Sequence, residues 1–169
     1  MTNVISDKEF KEGQKEMSTF DMDTSRLSQQ PYAISTDGRM FFGEQDIMNA
    51  PDDAVFQKVN INNGVEITEW TRPVKGNLYA TGSALQSVDA DIDGVLVVMA
   101  CQDMESIQGS AKSIHADFSS VKSIEVVADV VSADNCRYVE DIRGEIGNVS
   151  ADNTDCSDIT ESSSYGRRR

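Results

Sequence analysis

The sequence predicts an all-β fold: a short parallel β-helix (solenoid) of about four to five coils with 17–18 residues per coil. Three observations carry the expectation. First, the second half repeats, with β-branched residues seven positions apart in Val88–Val95, Ile107–Ile114, Ile124–Val131 and Ile142–Val149. Second, the starts lie 19, 17 and 18 residues apart, and Ile159 follows Ile142 by 17. Third, the seventh-position residue is followed by x-Ala-Asp in three units, ending at Asp117, Asp134 and Asp152. So short a period of strand formers suits one turn of a solenoid and not a helical hairpin.

Strand periodicity assigns the inward positions. Counting the unit's first residue as zero, steps 0, 2, 4, 7, 9 and 11 face the core. They read Val88, Ala90, Ile92, Val95, Val97, Met99; then Ile107, Gly109, Ala111, Ile114, Ala116, Phe118. The third and fourth units give Ile124, Val126, Ala128, Val131, Ala133, Asn135 and Ile142, Gly144, Ile146, Val149, Ala151, Asn153. Asn135 and Asn153 share a step and are expected to form an amide ladder. A third inward position near step 14 holds Val121, Tyr138 and Cys156. Ala133 and Ala151 are expected to face each other inside the coil, with the outward neighbour Ser132 tolerant of leucine.

Before the repeat the signals differ. Residues 1–30 are polar with isolated Ile5, Phe10, Met17, Phe20 and Met22, and read as a mobile tail, with Ser6 able to cap a short helix. Residues 31–77 read as a β-hairpin and capping segment. Tyr32 to Phe42 turns at Asp37-Gly38, and a second hairpin candidate, Val55 to Trp70, turns at Asn62-Asn63-Gly64. The solenoid is expected over 78–161, with Leu78 to Leu85 an imperfect first coil, and a polar basic tail over 162–169.

The net charge is −14, from 29 acidic and 15 basic residues, and Val88 to Glu161 holds 16 acids against four bases. That balance disfavours direct nucleic-acid binding, which needs lysine and arginine for phosphate contacts. No apolar run is long enough for a transmembrane segment. The start lacks a signal-peptide pattern, and the odd set Cys101, Cys136 and Cys156 lacks metal-site spacing. A cytoplasmic location is expected, or the virion for a phage-encoded chain, with buried reduced thiols; a Cys136–Cys156 bridge is the lesser alternative.

Candidate chemistry is sparse. Asp89, Asp91 and Asp93, followed by Gly94, match the start of an EF-hand loop, but its twelfth position is Ala100, where a bidentate acid is required. A strand with Val88, Ala90 and Ile92 inward explains the same residues, and weak calcium binding stays open. His115, the single histidine, points outward with no nucleophile beside it in the repeat. Asp117, Asp134 and Asp152 should form a column at about 4.8 Å spacing, its repulsion relieved by corner capping, solvent or a basic partner. Leu96 and Val98 are apolar at outward steps and imply a covering segment or a subunit interface. No cofactor is expected, and no catalytic constellation emerges, so the chain is expected not to be an enzyme.

Units such as Ile142-Arg-Gly-Glu-Ile-Gly-Asn-Val-Ser-Ala-Asp152 give about residues 78–160 a pattern that resembles the bactofilins, bacterial polymer-forming cytoskeletal proteins. The resemblance implies a parallel β-helix core flanked by disordered tails, and self-assembly. The chain departs from that family in its longer segment before the repeat and its fewer regular glycines. Bacteriophage structural proteins also use short β-helices. The expected function is a non-enzymatic, self-assembling scaffold and homo-oligomer. The alternative is an acidic decoy that imitates DNA and binds a basic protein through Asp117, Asp134 and Asp152.

Overall fold

The computed structural model describes residues 30–154, 156, 158, 159, 167 and 168. The expected N-terminal tail with its Ser6 cap, and most of the basic C-terminal tail, lie outside the described residues. Strands β1 (Tyr32–Ser35) and β2 (Met40–Phe42) are followed by helix α1 (Glu44–Met48). Then come β3 (Phe56–Asn60), β4 (Glu69–Trp70), β5 (Val74–Tyr79), β6 (Ser87–Asp91) and β7 (Val95–Val97). The long strands β8 (Ser106–His115), β9 (Ser123–Ser132) and β10 (Asp141–Ser150) precede β11 (Asp158–Ile159) and β12 (Arg167–Arg168). No helix among the described residues is long and apolar enough to cross a membrane.

The protein is a parallel β-solenoid of about five coils, as the repeat predicts. β4 with β5, β6 with β7, then β8, β9 and β10 each make one turn, stacked in register. One core column runs Trp70, Val88, Ile107, Ile124, Ile142, Ile159, and a second runs Val59, Leu78, Leu96, Ile114, Val131, Val149. All but Ile159 are fully or almost fully buried. Burying each large aliphatic side chain stabilises by about 1.5–3 kcal/mol, which the repeat delivers once per coil in each column.

The structure corrects the first unit. Leu96 and Val98 are 1% and 0% exposed and point into the core, while Val95 and Val97 are half-buried. The chain takes eight residues from Val88 to Leu96, because Asp93-Gly94 adds a residue at the bend. The inward positions stay on even steps through Leu96 and Val98 and do not shift to odd ones as they do after Ala111, Ala128 and Ile146. Leu96 and Val98 therefore belong to the core, and Val95 and Val97 take the outward steps.

The expected second hairpin is also absent. β3 pairs in parallel with β5, and β4 with β6, so the segment from Phe56 to Trp70 begins the solenoid. Asn62-Asn63-Gly64 turns a coil corner with Asn63 at φ 59°, a left-handed conformation that asparagine tolerates in hairpins and corners alike. The first hairpin is as expected: β1 pairs antiparallel with β2 and with β3, closing the N-terminal end of the stack.

Packed on β1 and β2 of that hairpin, α1 buries Ile47. The Arg72 guanidinium lies 4.6 Å over the Phe56 ring and donates to the carbonyls of Ala50, Pro51 and Ala54 at 2.8–3.0 Å. The Glu44 carboxylate accepts from the backbone N–H groups of Glu66 and Ile67, tying the helix to the first corner. The core at this end is thus covered by groups whose own polar atoms are satisfied.

Candidate functional site

Six corners follow β3, β5, β7, β8, β9 and β10. Each has one residue in the left-handed region: Asn63, Gly82, Ala100, Phe118, Asn135 and Asn153, with φ between 56° and 65°. The turn throws this side chain outward, so the inward placement expected for Phe118, Asn135 and Asn153 is corrected. Phe118 is 56% exposed. Met99, expected inward, precedes the left-handed Ala100 and is half-buried. The amide ladder is real, however: Asn153 Nδ2 donates to Asn135 Oδ1 at 3.1 Å.

The column of Asp117, Asp134 and Asp152 is explained by capping between coils. Asp117 Oδ1 accepts from the Ser132 hydroxyl at 2.6 Å and from the backbone N–H of Asp134 at 2.8 Å. Asp134 Oδ1 does the same for Ser150 and the N–H of Asp152, both at 2.7 Å. Asn62 Oδ1 holds the N–H of Thr81 in the same way at 2.7 Å. The Asp117 and Asp134 carboxylates thus fasten their corners to the next, and bonds to a charged acceptor offset the repulsion along the column.

One residue further on, the corners carry Ser83, Cys101, Ser119 and Cys136, all buried. The thiols of Cys101 and Cys136 donate to the carbonyls of Ala80 and Ala116 at 2.9 Å, within 3.5–3.6 Å of Ser83 and Ser119. Burial pushes both thiols above the usual range, which keeps them protonated and unreactive. All three cysteines are buried.

The corners alternate in length. Passing over the residue directly after it, which is Cys101 in the third corner and Cys136 in the fifth, the distance from the left-handed residue to the next buried apolar residue is four positions in the first, third and fifth corners, ending at Ile67, Met104 and Val139. It is three positions in the others, ending at Leu85, Val121 and Cys156. The extra residue puts Val139 in the core and turns Tyr138 out at 59% exposed, correcting the inward expectation for Tyr138. The short corner at Ser120 is a notch between two protruding long ones, and a cleft of about 530 Å³ occupies it. A second open cleft of about 520 Å³ follows the bend in β8–β10, beside Lys112, Asp129 and Gly147.

The other expected sites stay apart from one another. Asp89, Asp91 and Asp93 are exposed; Asp91 accepts from Ser110 at 2.9 Å, and Asp93 lies 3.8 Å from the Lys75 ammonium. Among the described residues, no three potential metal-ligating side chains are grouped to hold an ion. His115 is half-buried on β8, between Val97 and Ser132 of the adjacent strands. These features define a parallel β-solenoid whose corner polar groups largely serve the stacking of its coils. No family model matches the chain, and neither a curated protein nor a solved structure does.

Proposed function

We propose that this chain is a non-enzymatic structural element that assembles with copies of itself through the hairpin end of the solenoid. The observation that carries the reading is β2. It is the terminal strand of the sheet order, and its outward residues Met40 and Phe42 are 45% and 43% exposed, with Met48 of α1 also exposed. An edge strand bearing apolar side chains is a template for pairing with another chain. The finer reading is a polymer-forming cytoskeletal element of bactofilin type or a bacteriophage structural component, and the repeat length supports either.

Sedimentation velocity at micromolar concentration tests the proposal. The wild type is expected to form oligomers, and Met40→Lys with Phe42→Lys to shift them to monomer. A wild type that stays monomeric across salt concentrations refutes it. Raising the salt should strengthen association, because it screens repulsion between chains of net charge −14.

The acidic decoy draws on a different observation, the outward acids Asp89 and Asp91 on β6, Glu125 on β9 and Glu145 on β10, with the β8 coil between the first two and the rest. Asp117 and Asp134, by contrast, each commit an oxygen to corner bonds. Capture of a basic DNA-binding protein that is lost on changing the four outward acids to amides would favour the decoy over the scaffold.

A further inference from the structure

We propose that the notch at Ser120 is a binding site for a neutral saccharide. Its walls are the long corners on either side, one bearing Gln102 and Asp103 and the other Tyr138, with Glu105 and Lys122 beside them. The volume of about 530 Å³ lies in the range of small-ligand sites and accommodates one or two sugar rings.

The chemistry of the lining selects the ligand class. A sugar hydroxyl both donates and accepts, and the notch offers each kind of partner. Asp103 and Glu105 accept, Lys122 donates, and the Gln102 amide and Ser120 hydroxyl do both. Gln102 already spends one donor on the Phe118 carbonyl at 3.1 Å, which fixes its side chain across the corner. Tyr138 supplies an exposed aromatic face, electron-rich at its centre, against which the C–H face of a pyranose packs. Burial does not account for that ring, since Val139 fills the core position.

Other ligand classes fit less well. Two carboxylates against one ammonium repel phosphates and sulfates, on a chain of net charge −14. Lys122 within the lining opposes a cationic peptide, and the polar walls offer little to a lipid chain.

Saturation-transfer NMR and calorimetry on the full chain test the site with a panel of neutral methyl hexosides, N-acetylhexosamines and their disaccharides. At least one member is expected to bind with a Kd of about 1 mM or tighter. Tyr138→Ala should weaken it at least about tenfold, and Ser120→Trp, which fills the notch, should abolish it. Val130→Ala, on the side of β9, should leave it unchanged. Tyr138 is exposed, so its variant is expected to fold, and circular dichroism checks every variant. Three results overturn the proposal: no panel member binds, binding survives in both Tyr138→Ala and a folded Ser120→Trp, or an oligo-arginine peptide binds at the notch while the sugars do not.

Discussion

Replacing Ala133 with leucine tests the register of the solenoid directly. Ala133 is fully buried on the second strand face, in a column with Ala116 and Ala151, and its N–H donates to the Ser150 carbonyl at 2.8 Å. Leucine adds three carbons where the neighbours above and below are alanines in hydrogen-bonded coils that cannot spread without breaking bonds. Overpacking of this kind costs about 1–3 kcal/mol. For a chain of this size that lowers the melting temperature by about 2–4 °C per kcal/mol, so a drop of roughly 2–12 °C is expected. The outward control is Val130→Leu on β9, three residues earlier, expected to stay within about 0.5 kcal/mol. Ser132 does not serve as that control: its hydroxyl donates to Asp117, so Ser132→Leu removes a bond to a charged acceptor and costs about 1–3 kcal/mol. A thermal melt of Ala133→Leu coincident with wild type, followed by circular dichroism, would refute the assigned packing.

Asp134→Ala strips the acceptor from the Ser150 hydroxyl and the Asp152 N–H and should destabilise by about 1–3 kcal/mol in urea, with Asp134→Asn recovering part of the loss. Phe118→Asn relieves a bulky side chain from the left-handed region at an exposed corner and should raise stability by about 1 kcal/mol in the same assay. Asp37 is held at about 2, below the ordinary 3.8, first by the hydrogen bond that it accepts from Arg39 and then by that from Ser35. A depressed carboxylate stabilises fully above its unfolded value and loses that contribution as pH falls through the folded one. The melting difference between wild type and Asp37→Asn should therefore be constant above pH 3.8 and shrink toward pH 2.

The repeat was legible because a solenoid needs a large aliphatic residue at the same two positions in every coil. Ile107 with Ile114, Ile124 with Val131 and Ile142 with Val149 satisfy that need openly. The first unit misled because Val95, Leu96, Val97 and Val98 are all apolar, so alternation carries no phase, and the added residue at Gly94 cannot be seen. The first coil passed for a hairpin because Asn62-Asn63-Gly64 favours a left-handed turn in either setting. The corner role of Asp117 and Asp134 was half readable. Ala-Asp at a constant step implied capping, but the bonds run to the next coil, and only register in space reveals that. Tyr138 was misplaced by one residue because corner length does not follow from composition.

The alternation of long and short corners makes two coils, not one, the natural unit of growth for this rod. Side chains keep the same beat: serine alternates with cysteine at Ser83, Cys101, Ser119 and Cys136, and Gly109 and Gly144 alternate with Ala90 and Val126. At each of those glycines φ is positive, and a side chain would strike the carbonyl of Ala90 or Val126 in the coil before it. Inserting a single copied coil would set like against like, two notches or two protrusions in succession. Inserting a pair preserves the phase, so lengthening or shortening by duplication and deletion is expected to proceed in double steps.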